Sequence, residues 1–142
     1  MTDSEKQRAG WSLWIIGLVA AVAASLANLA LMFFTKPSLG LPDTFGPLNT
    51  VPIILWSFIG AFGAIGVYAL IRRFSATPNR TFVIVAVIVL VLSFIPDLAI
   101  RGVTTGPFGG ATAGAIATLM VMHVISFAII VPLLSRLARP LS

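Results

Sequence analysis

Four long apolar stretches constrain this chain more than any other feature of its sequence. They cover residues 11–34, 51–71, 82–100 and 111–134, and Asp97 is the only formal charge inside them. A helix of about 20 apolar residues crosses the hydrocarbon core of a bilayer. Only 9% of the residues are charged, against about 25% in soluble domains. We therefore predict an all-α, polytopic membrane protein with four transmembrane helices.

The segments between these stretches are rich in proline and glycine. Residues 35–50 contain Pro37, Pro42 and Pro47, and residues 101–110 contain Pro107 among several glycines. Neither segment can form a continuous helix. Because connections this short favour antiparallel neighbours, residues 1–142 are predicted to form a single domain, an up-down four-helix bundle.

The basic residues predict how the bundle is oriented. One side of it carries only Lys36 and Arg101, and the other carries seven basic residues. Cytoplasmic loops carry the excess of Lys and Arg, so both termini are predicted to be cytoplasmic. A cleaved signal peptide is the alternative, but the first apolar stretch is longer than the roughly 7–15 residues of a signal-peptide core. The seven residues are Lys6, Arg8, Arg72, Arg73, Arg80, Arg136 and Arg139.

Missing residue types exclude several classes of function. The chain has no cysteine, which excludes disulfides, thiolate metal sites and thiol redox chemistry. The single histidine, His123, cannot supply both ligands of a bis-histidine haem. The net charge of +5 comes from residues at segment ends rather than from one basic patch. We expect no catalytic centre, metal site or cofactor, and no nucleic-acid partner.

Three polar side chains are predicted to lie at membrane depth: Asn28, Asp97 and His123. Polar groups in the hydrocarbon are costly, so each is a candidate functional residue. At about 1.5 Å per residue, all three fall in the half of the membrane far from the termini. They form a candidate intramembrane polar cluster. A structural interhelical hydrogen bond is the alternative for Asn28 and His123.

Asp97 also has a possible partner on its own helix. It precedes Arg101 by four residues, a spacing that favours an ion pair, and a proton- or cation-binding role is the alternative. Pro96 frees the carbonyl of Leu92. A broken hydrogen-bond ladder beside a carboxylate is a place where an ion or a substrate can bind.

Glycines mark the helix faces that are expected to pack closely. The second apolar stretch contains Gly60, Gly63 and Gly66, and the fourth begins with Gly110 and Gly114. Small residues allow helix backbones to approach each other in lipid. These faces are predicted to pack inside the bundle, with a homo-oligomer interface as the alternative. The third stretch has an unbroken apolar run and is predicted to face lipid.

Three motifs are similar to those of a known family. They are Ala27-Asn28-Leu29-Ala30, the run from Thr81-Phe82 to Ser93-Phe94-Ile95-Pro96, and Met122-His123-Val124-Ile125 with the following Ile129-Ile130-Val131-Pro132-Leu133-Leu134. The chain resembles a family of small four-helix bacterial integral membrane proteins classified as a domain of unknown function. The resemblance implies a multi-pass protein of the bacterial cytoplasmic (inner) membrane. It marks Asn28, Pro96, His123 and Pro132 as motif positions and implies no activity.

Three functions are compatible with these features. The favoured one is a non-enzymatic accessory or structural subunit that acts by helix association, in contact with membrane lipid and as part of a homo-oligomer or larger membrane complex. The second is a small transporter or channel that uses Asp97, His123 and Asn28. The third is a lipid- or quinone-binding membrane protein. A shared, water-filled cavity for the three side chains favours the second function, and separate, satisfied hydrogen bonds favour the first. A lipid or quinone bound beside His123 favours the third.

Overall fold

Four long helices make up most of the computed structural model, which describes residues 2–138, with side chains described for 2–4 and 12–138. The helices are α1 (Asp3–Ser38), α2 (Thr50–Phe74), α3 (Pro78–Ala99) and α4 (Ala113–Leu137). Short 3-10 turns occupy Gly46–Leu48 and Gly106–Phe108, and the described residues contain no strand. Each helix is long and apolar enough to cross a membrane. The predicted all-α fold with four membrane-length helices is confirmed.

The helix ends follow local sequence signals. α3 begins with Pro78, a residue suited to the first helical position because the N–H that it lacks would have no partner there. Asn79 therefore lies inside the helix, and the residue at the cap position is Thr77. α1 extends beyond both predicted limits, and it passes through Pro37 to end at Ser38. The hydroxyl of Ser38 closes this last turn by donating to the carbonyl of Phe34 at 2.6 Å.

Small residues of α1 bring three helices together. Ala20, Ala21 and Ala24 are fully buried in one apolar cluster that also contains Ile65 of α2 and Leu134 of α4. A Cβ atom added to Gly17 would overlap the side chain of Ile65. α1 therefore packs closely on α2 and α4, in the way that small residues permit in lipid.

The glycines of α2 lie on a different face from the one predicted. Gly60, Gly63 and Gly66 are exposed, and a Cβ atom on any of them would meet no atom within 4 Å. The prediction that they pack inside the bundle was wrong. The buried face of α2 is instead formed by residues at steps of four or three: Ile53, Ser57, Ala61, Ile65 and Tyr68.

α3 is the least enclosed helix. Only Phe82 and Asp97 of its residues are buried, in keeping with the lipid-facing position that its apolar run predicts. It packs mainly on α4 and more lightly on α2. A cleft therefore lies between α2 and α3.

The two Pro- and Gly-rich loops pack on each other at one end of the bundle, which we call the capped end. Gly46 approaches the other loop so closely that a Cβ atom there would lie 2.7 Å from the carbonyl oxygen of Pro107. Gly110 has a φ of +89°, a conformation that glycine adopts without steric cost. Beneath these loops lies a second apolar cluster, which includes Phe45 and Leu48. The loops thus close the bundle over an apolar layer.

The other end of α2 carries an aromatic and basic contact. The hydroxyl of Tyr68 donates to Asn79 Oδ1 at 2.7 Å, and its ring lies 5.0 Å from that of Phe82. Arg72 lies over the Tyr68 ring and donates to the carbonyl of Ala138 at 3.2 Å. These contacts join α2, α3 and the end of α4. Three of the basic residues predicted for this side have side chains outside the described residues: Lys6, Arg8 and Arg139.

Candidate functional site

A cavity of about 500 Å³ lies between α2, α3 and α4, with α1 behind it. Its wall is mostly apolar. The polar residues that line it come from all four helices: Asn28, Ser57, Ser93, Asp97, His123 and Ser126. The structure therefore brings Asn28, Asp97 and His123, the three residues of the predicted polar cluster, to one cavity.

The polar residues form a layer between the two apolar clusters of the bundle. Ser57 of α2 lies one helical turn from a residue of each cluster, and so does Ser126 of α4. Residues four apart share one face of a helix. On each of three helices, a polar residue takes the middle position of a stripe of three residues spaced four apart, and the other two residues are apolar. The three stripes are Ala24-Asn28-Met32 on α1, Ile53-Ser57-Ala61 on α2 and Met122-Ser126-Ile130 on α4.

Asn28 connects three helices through this layer. Its Nδ2 donates to Ser126 Oγ at 2.9 Å and to Ser57 Oγ at 3.3 Å. Its side chain is buried, and its Oδ1 has no hydrogen-bond partner. Asn28 is thus an interhelical clamp whose Oδ1 is enclosed by protein.

Asp97 lies beside His123 and not beside Arg101. Asp97 Oδ2 is 3.0 Å from His123 Nδ1, whereas the described residues contain no ion pair between Asp97 and Arg101. An ion pair at a spacing of four requires a helix that includes both residues. α3 ends at Ala99, and Arg101 lies exposed in the turn that follows. The predicted local ion pair is therefore replaced by an interhelical contact.

The contact between Asp97 and His123 is close but is not a completed hydrogen bond. Asp97 Oδ2, His123 Nδ1 and Asn28 Oδ1 are all buried without an aligned hydrogen-bond partner. They are the atoms of this kind among the described side chains, and their residues all line the cavity. Leaving such an atom unpaired costs about 1–3 kcal/mol. Three such atoms among the residues around one cavity mark this region as a candidate functional site.

Aromatic and proline residues support the imidazole and the carboxylate. The rings of Phe94 and His123 meet edge to face, with centroids 6.3 Å apart. Pro96 precedes Asp97 inside α3 and lines the cavity. Because proline has no N–H, it cannot bond to the carbonyl of Leu92. The described residues contain no group of three or more His, Cys, Asp or Glu that could hold a metal ion.

The cavity opens on the side of the bundle between α2 and α3. Trp56 and Ile59 of α2 and Pro96 of α3 line it and are also exposed, Trp56 by 65%. Pro47 and Phe108, from the two loops, line it near the capped end. The exposed wall residues belong to membrane-length helices, so the opening faces the region that lipid would occupy.

The sequence alone did not single out two residues of this site. Ser57 lies in a buried stripe whose neighbours four residues away are Ile53 and Ala61, and this spacing was the signal that could have found it. Tryptophan commonly marks the ends of a membrane helix, but Trp56 lies inside α2. The sequence therefore gives no signal that points to Trp56.

The chain was also compared with known proteins. The model of a family described as a family of unknown function (DUF6069) matches residues 8–140. This match agrees with the resemblance that the three sequence motifs indicate. No curated protein and no solved structure matches the chain.

Proposed function

Since the chain belongs to DUF6069, a family of unknown function, we propose its role from the cavity: it binds a small amphipathic molecule from the membrane. Binding, and not catalysis, is the proposed activity. The observation that carries the proposal is one mostly apolar cavity lined by Asn28, Asp97 and His123, each of which has a buried polar atom without a hydrogen-bond partner. A fold that contributed nothing but helix packing would have no use for them.

The composition of the wall supports an amphipathic ligand. Pockets for small molecules occupy about 300–1,000 Å³ and combine an apolar lining with a few convergent polar groups. This cavity, at about 500 Å³, matches both properties. A polar head would reach Asp97, and an apolar tail would lie along Ile59 and Trp56 toward the lipid.

The placement of the polar layer favours binding over transport. Apolar clusters lie on both sides of the layer, one containing Phe45 and Leu48 and the other containing Tyr68 and Leu134. A conducting route would need polar residues or water through both clusters. The layer therefore supports a site with one lateral entrance rather than a transporter or channel built on Asp97, His123 and Asn28.

Two glycines of α2 provide a matched test of this proposal. Gly60 lines the cavity and Gly63 does not, yet both are exposed and both have open space for a Cβ atom. Gly60→Leu is therefore expected to fill the cavity without disturbing the helix, and Gly63→Leu is its control. The wild-type protein and both variants would be purified in one mild detergent. Molecules that co-purify would then be extracted and measured by mass spectrometry.

We expect an amphipathic molecule to accompany the wild type and Gly63→Leu. Its amount should fall by about tenfold or more in Gly60→Leu, the change that corresponds to losing most of the contact energy of one well-packed side chain. The same amount with all three proteins, or none with the wild type, would contradict the proposal.

A specific observation favours a second candidate, an accessory subunit that acts by helix association. The exposed face of α2 carries Gly60, Gly63 and Gly66 with open space above them, and such faces allow a second helix to approach closely. The partner would be another copy of this chain or another membrane protein. Assembly measured by crosslinking in native membranes would then be weakened by Gly63→Leu and by Gly66→Leu. It would be unchanged by Val87→Leu on the exposed side of α3.

The membrane placement is also part of the proposal. We place the chain in a bacterial cytoplasmic membrane, crossing it four times as an up-down bundle with both termini in the cytoplasm. The support for the orientation is the basic count, with Lys36 and Arg101 alone near the capped end. The support for the bacterial membrane is the family resemblance of the motifs around Asn28, Pro96 and His123.

A further inference from the structure

The charge of the cavity wall narrows the chemistry of the molecule that it can hold. Asp97 supplies the only carboxylate among the described lining residues, and none of these residues is Lys or Arg. The two basic residues near the capped end, Lys36 and Arg101, do not line the cavity. Lys36 pairs with Asp43 and donates to Asn49, and Arg101 is exposed. Asp97 therefore supplies the fixed charge of the wall, and His123 is the one other described lining residue that can carry a charge.

A buried carboxylate in such surroundings needs a cationic or hydrogen-bonding partner. Isolated charges in an apolar environment are strongly disfavoured unless they are paired. Asp97 is 7% exposed, and its neighbour His123 lies at 3.0 Å without an aligned hydrogen bond. The contact with His123 is therefore not a complete partner for the carboxylate, and Asp97 can receive a cation from the cavity that it lines.

The charge of the wall matches one kind of head group. A protonated primary amine carries one positive charge and three N–H donors, and Asp97 is the only carboxylate among the described lining residues. An anionic head, such as a carboxylate or a phosphate, would meet Asp97 with no cation to receive it. A neutral alcohol has one donor and leaves the carboxylate without a counter-charge.

Resting on the proposed function, we infer that the ligand is a lipophilic amine, with its ammonium group at Asp97 and its apolar tail directed between α2 and α3. An inorganic cation is a poorer match because most of the wall is apolar. The described residues also offer no cluster of three or more ionisable metal ligands. Asp97 thus selects the head group by charge.

Trp56 makes this inference measurable, because it lines the cavity and is one of three tryptophans in the chain. The variant Trp11→Phe/Trp14→Phe leaves Trp56 as the single fluorophore. The probes are a medium-chain alkyl amine, alcohol and carboxylate of one chain length, each brominated at the tail so that it quenches tryptophan on contact. Each is titrated into the protein in bilayer nanodiscs. Binding gives saturable quenching, and dissolution in the bilayer gives a linear background.

We expect the amine to bind at least about tenfold more tightly than the alcohol, as pairing with a buried charge implies, and the carboxylate to give no saturable quenching. Equal affinities for the three probes, or tighter binding of the carboxylate, would overturn the inference while leaving the binding proposal standing. No saturable quenching by any probe would instead contradict the binding proposal, and the inference with it.

Two variants assign the effect to the cavity and to the carboxylate. In the single-tryptophan protein, Gly60→Leu should abolish saturable quenching, and Gly63→Leu should leave it unchanged. Asp97→Asn should lower the affinity for the amine to about that for the alcohol, and it should leave the affinity for the alcohol unchanged. Retention of the preference for amine in Asp97→Asn would overturn the role given to Asp97. The wild-type ranking of the three probes tests the inference even if this variant does not fold.

Discussion

His123 Nδ1 and Asp97 Oδ2 lie 3.0 Å apart, buried, with no aligned hydrogen bond between them. The contact joins α4 to the end of α3, whose one other buried residue is Phe82 near its beginning. α3 therefore has a buried residue near each end, and the cavity lies beside its last part, where Ser93, Pro96 and Asp97 line it. Polar atoms held this close without a partner are a cost to stability that is typical of functional sites.

Replacing the carboxylate with its amide should relieve this cost. In Asp97→Asn, the new Nδ2 group can donate to His123 Nδ1, and the free energy of unfolding in ligand-free mixed micelles is expected to rise by about 0.5–1 kcal/mol. The control is Asp43→Asn, which removes the exposed partner of Lys36 and should change stability little. A loss of more than about 1 kcal/mol for Asp97→Asn would show that the two side chains form a stabilising ion pair.

Asn28 should contribute to stability as well as to the site. Asn28→Ala removes hydrogen bonds to Ser57 and Ser126 and is expected to lower the free energy of unfolding by about 1–2 kcal/mol, near the range for interhelical hydrogen bonds in membranes. Ser25→Ala is the matched control. Ser25 is equally buried, but its hydroxyl donates to Ala21 of the same helix at 2.7 Å. Equal losses of unfolding free energy for the two variants would contradict the role of Asn28 as a clamp between helices.

The helices and the shared polar site could be predicted because the forces that fix them act on local sequence. An apolar stretch of membrane length has few alternatives to a helix, and a residue such as Asn28 or His123 is too costly at that depth to face lipid. The same cost directs these side chains inward, toward one another. Ser57 belongs to the same layer but is less polar, and only its spacing of four residues from Ile53 and from Ala61 points to it.

The faces of α2 and the partner of Asp97 could not be obtained in this way. A neighbouring helix is as apolar as lipid. The sequence positions of Gly60 and Gly63 therefore do not reveal whether a helix or lipid covers them. Arg101 was the nearest opposite charge along the sequence. The helix end at Ala99 separates it from Asp97, and the arrangement of α3 on α4 supplies His123 instead. Both errors come from tertiary packing, which a single sequence encodes only indirectly.

The tight approach of α1 to α2 should depend on Gly17. A Cβ atom there would overlap Ile65, so Gly17→Ala is expected to lower the free energy of unfolding by about 1–3 kcal/mol, the usual cost of overpacking. Gly63→Ala is the control and should be neutral or slightly stabilising, since alanine favours the helix. Ile65→Val should cost less in the Gly17→Ala background than in the wild type. Equal costs in the two backgrounds would show that the overlap is relieved elsewhere.

The orientation of the bundle determines which leaflet the cavity serves. The chain has no cysteine, so Ser38→Cys, Thr105→Cys and Ala76→Cys each introduce a single thiol at an exposed position. With the basic excess in the cytoplasm, a membrane-impermeant maleimide added to intact cells should label the first two variants. It should label Ala76→Cys only after permeabilisation. The reverse pattern would invert the orientation, and opposite behaviour of Ser38→Cys and Thr105→Cys would contradict the packing of the two loops on each other. The expected pattern places the capped end outside, so the opening beside Trp56 would receive its ligand from the outer leaflet.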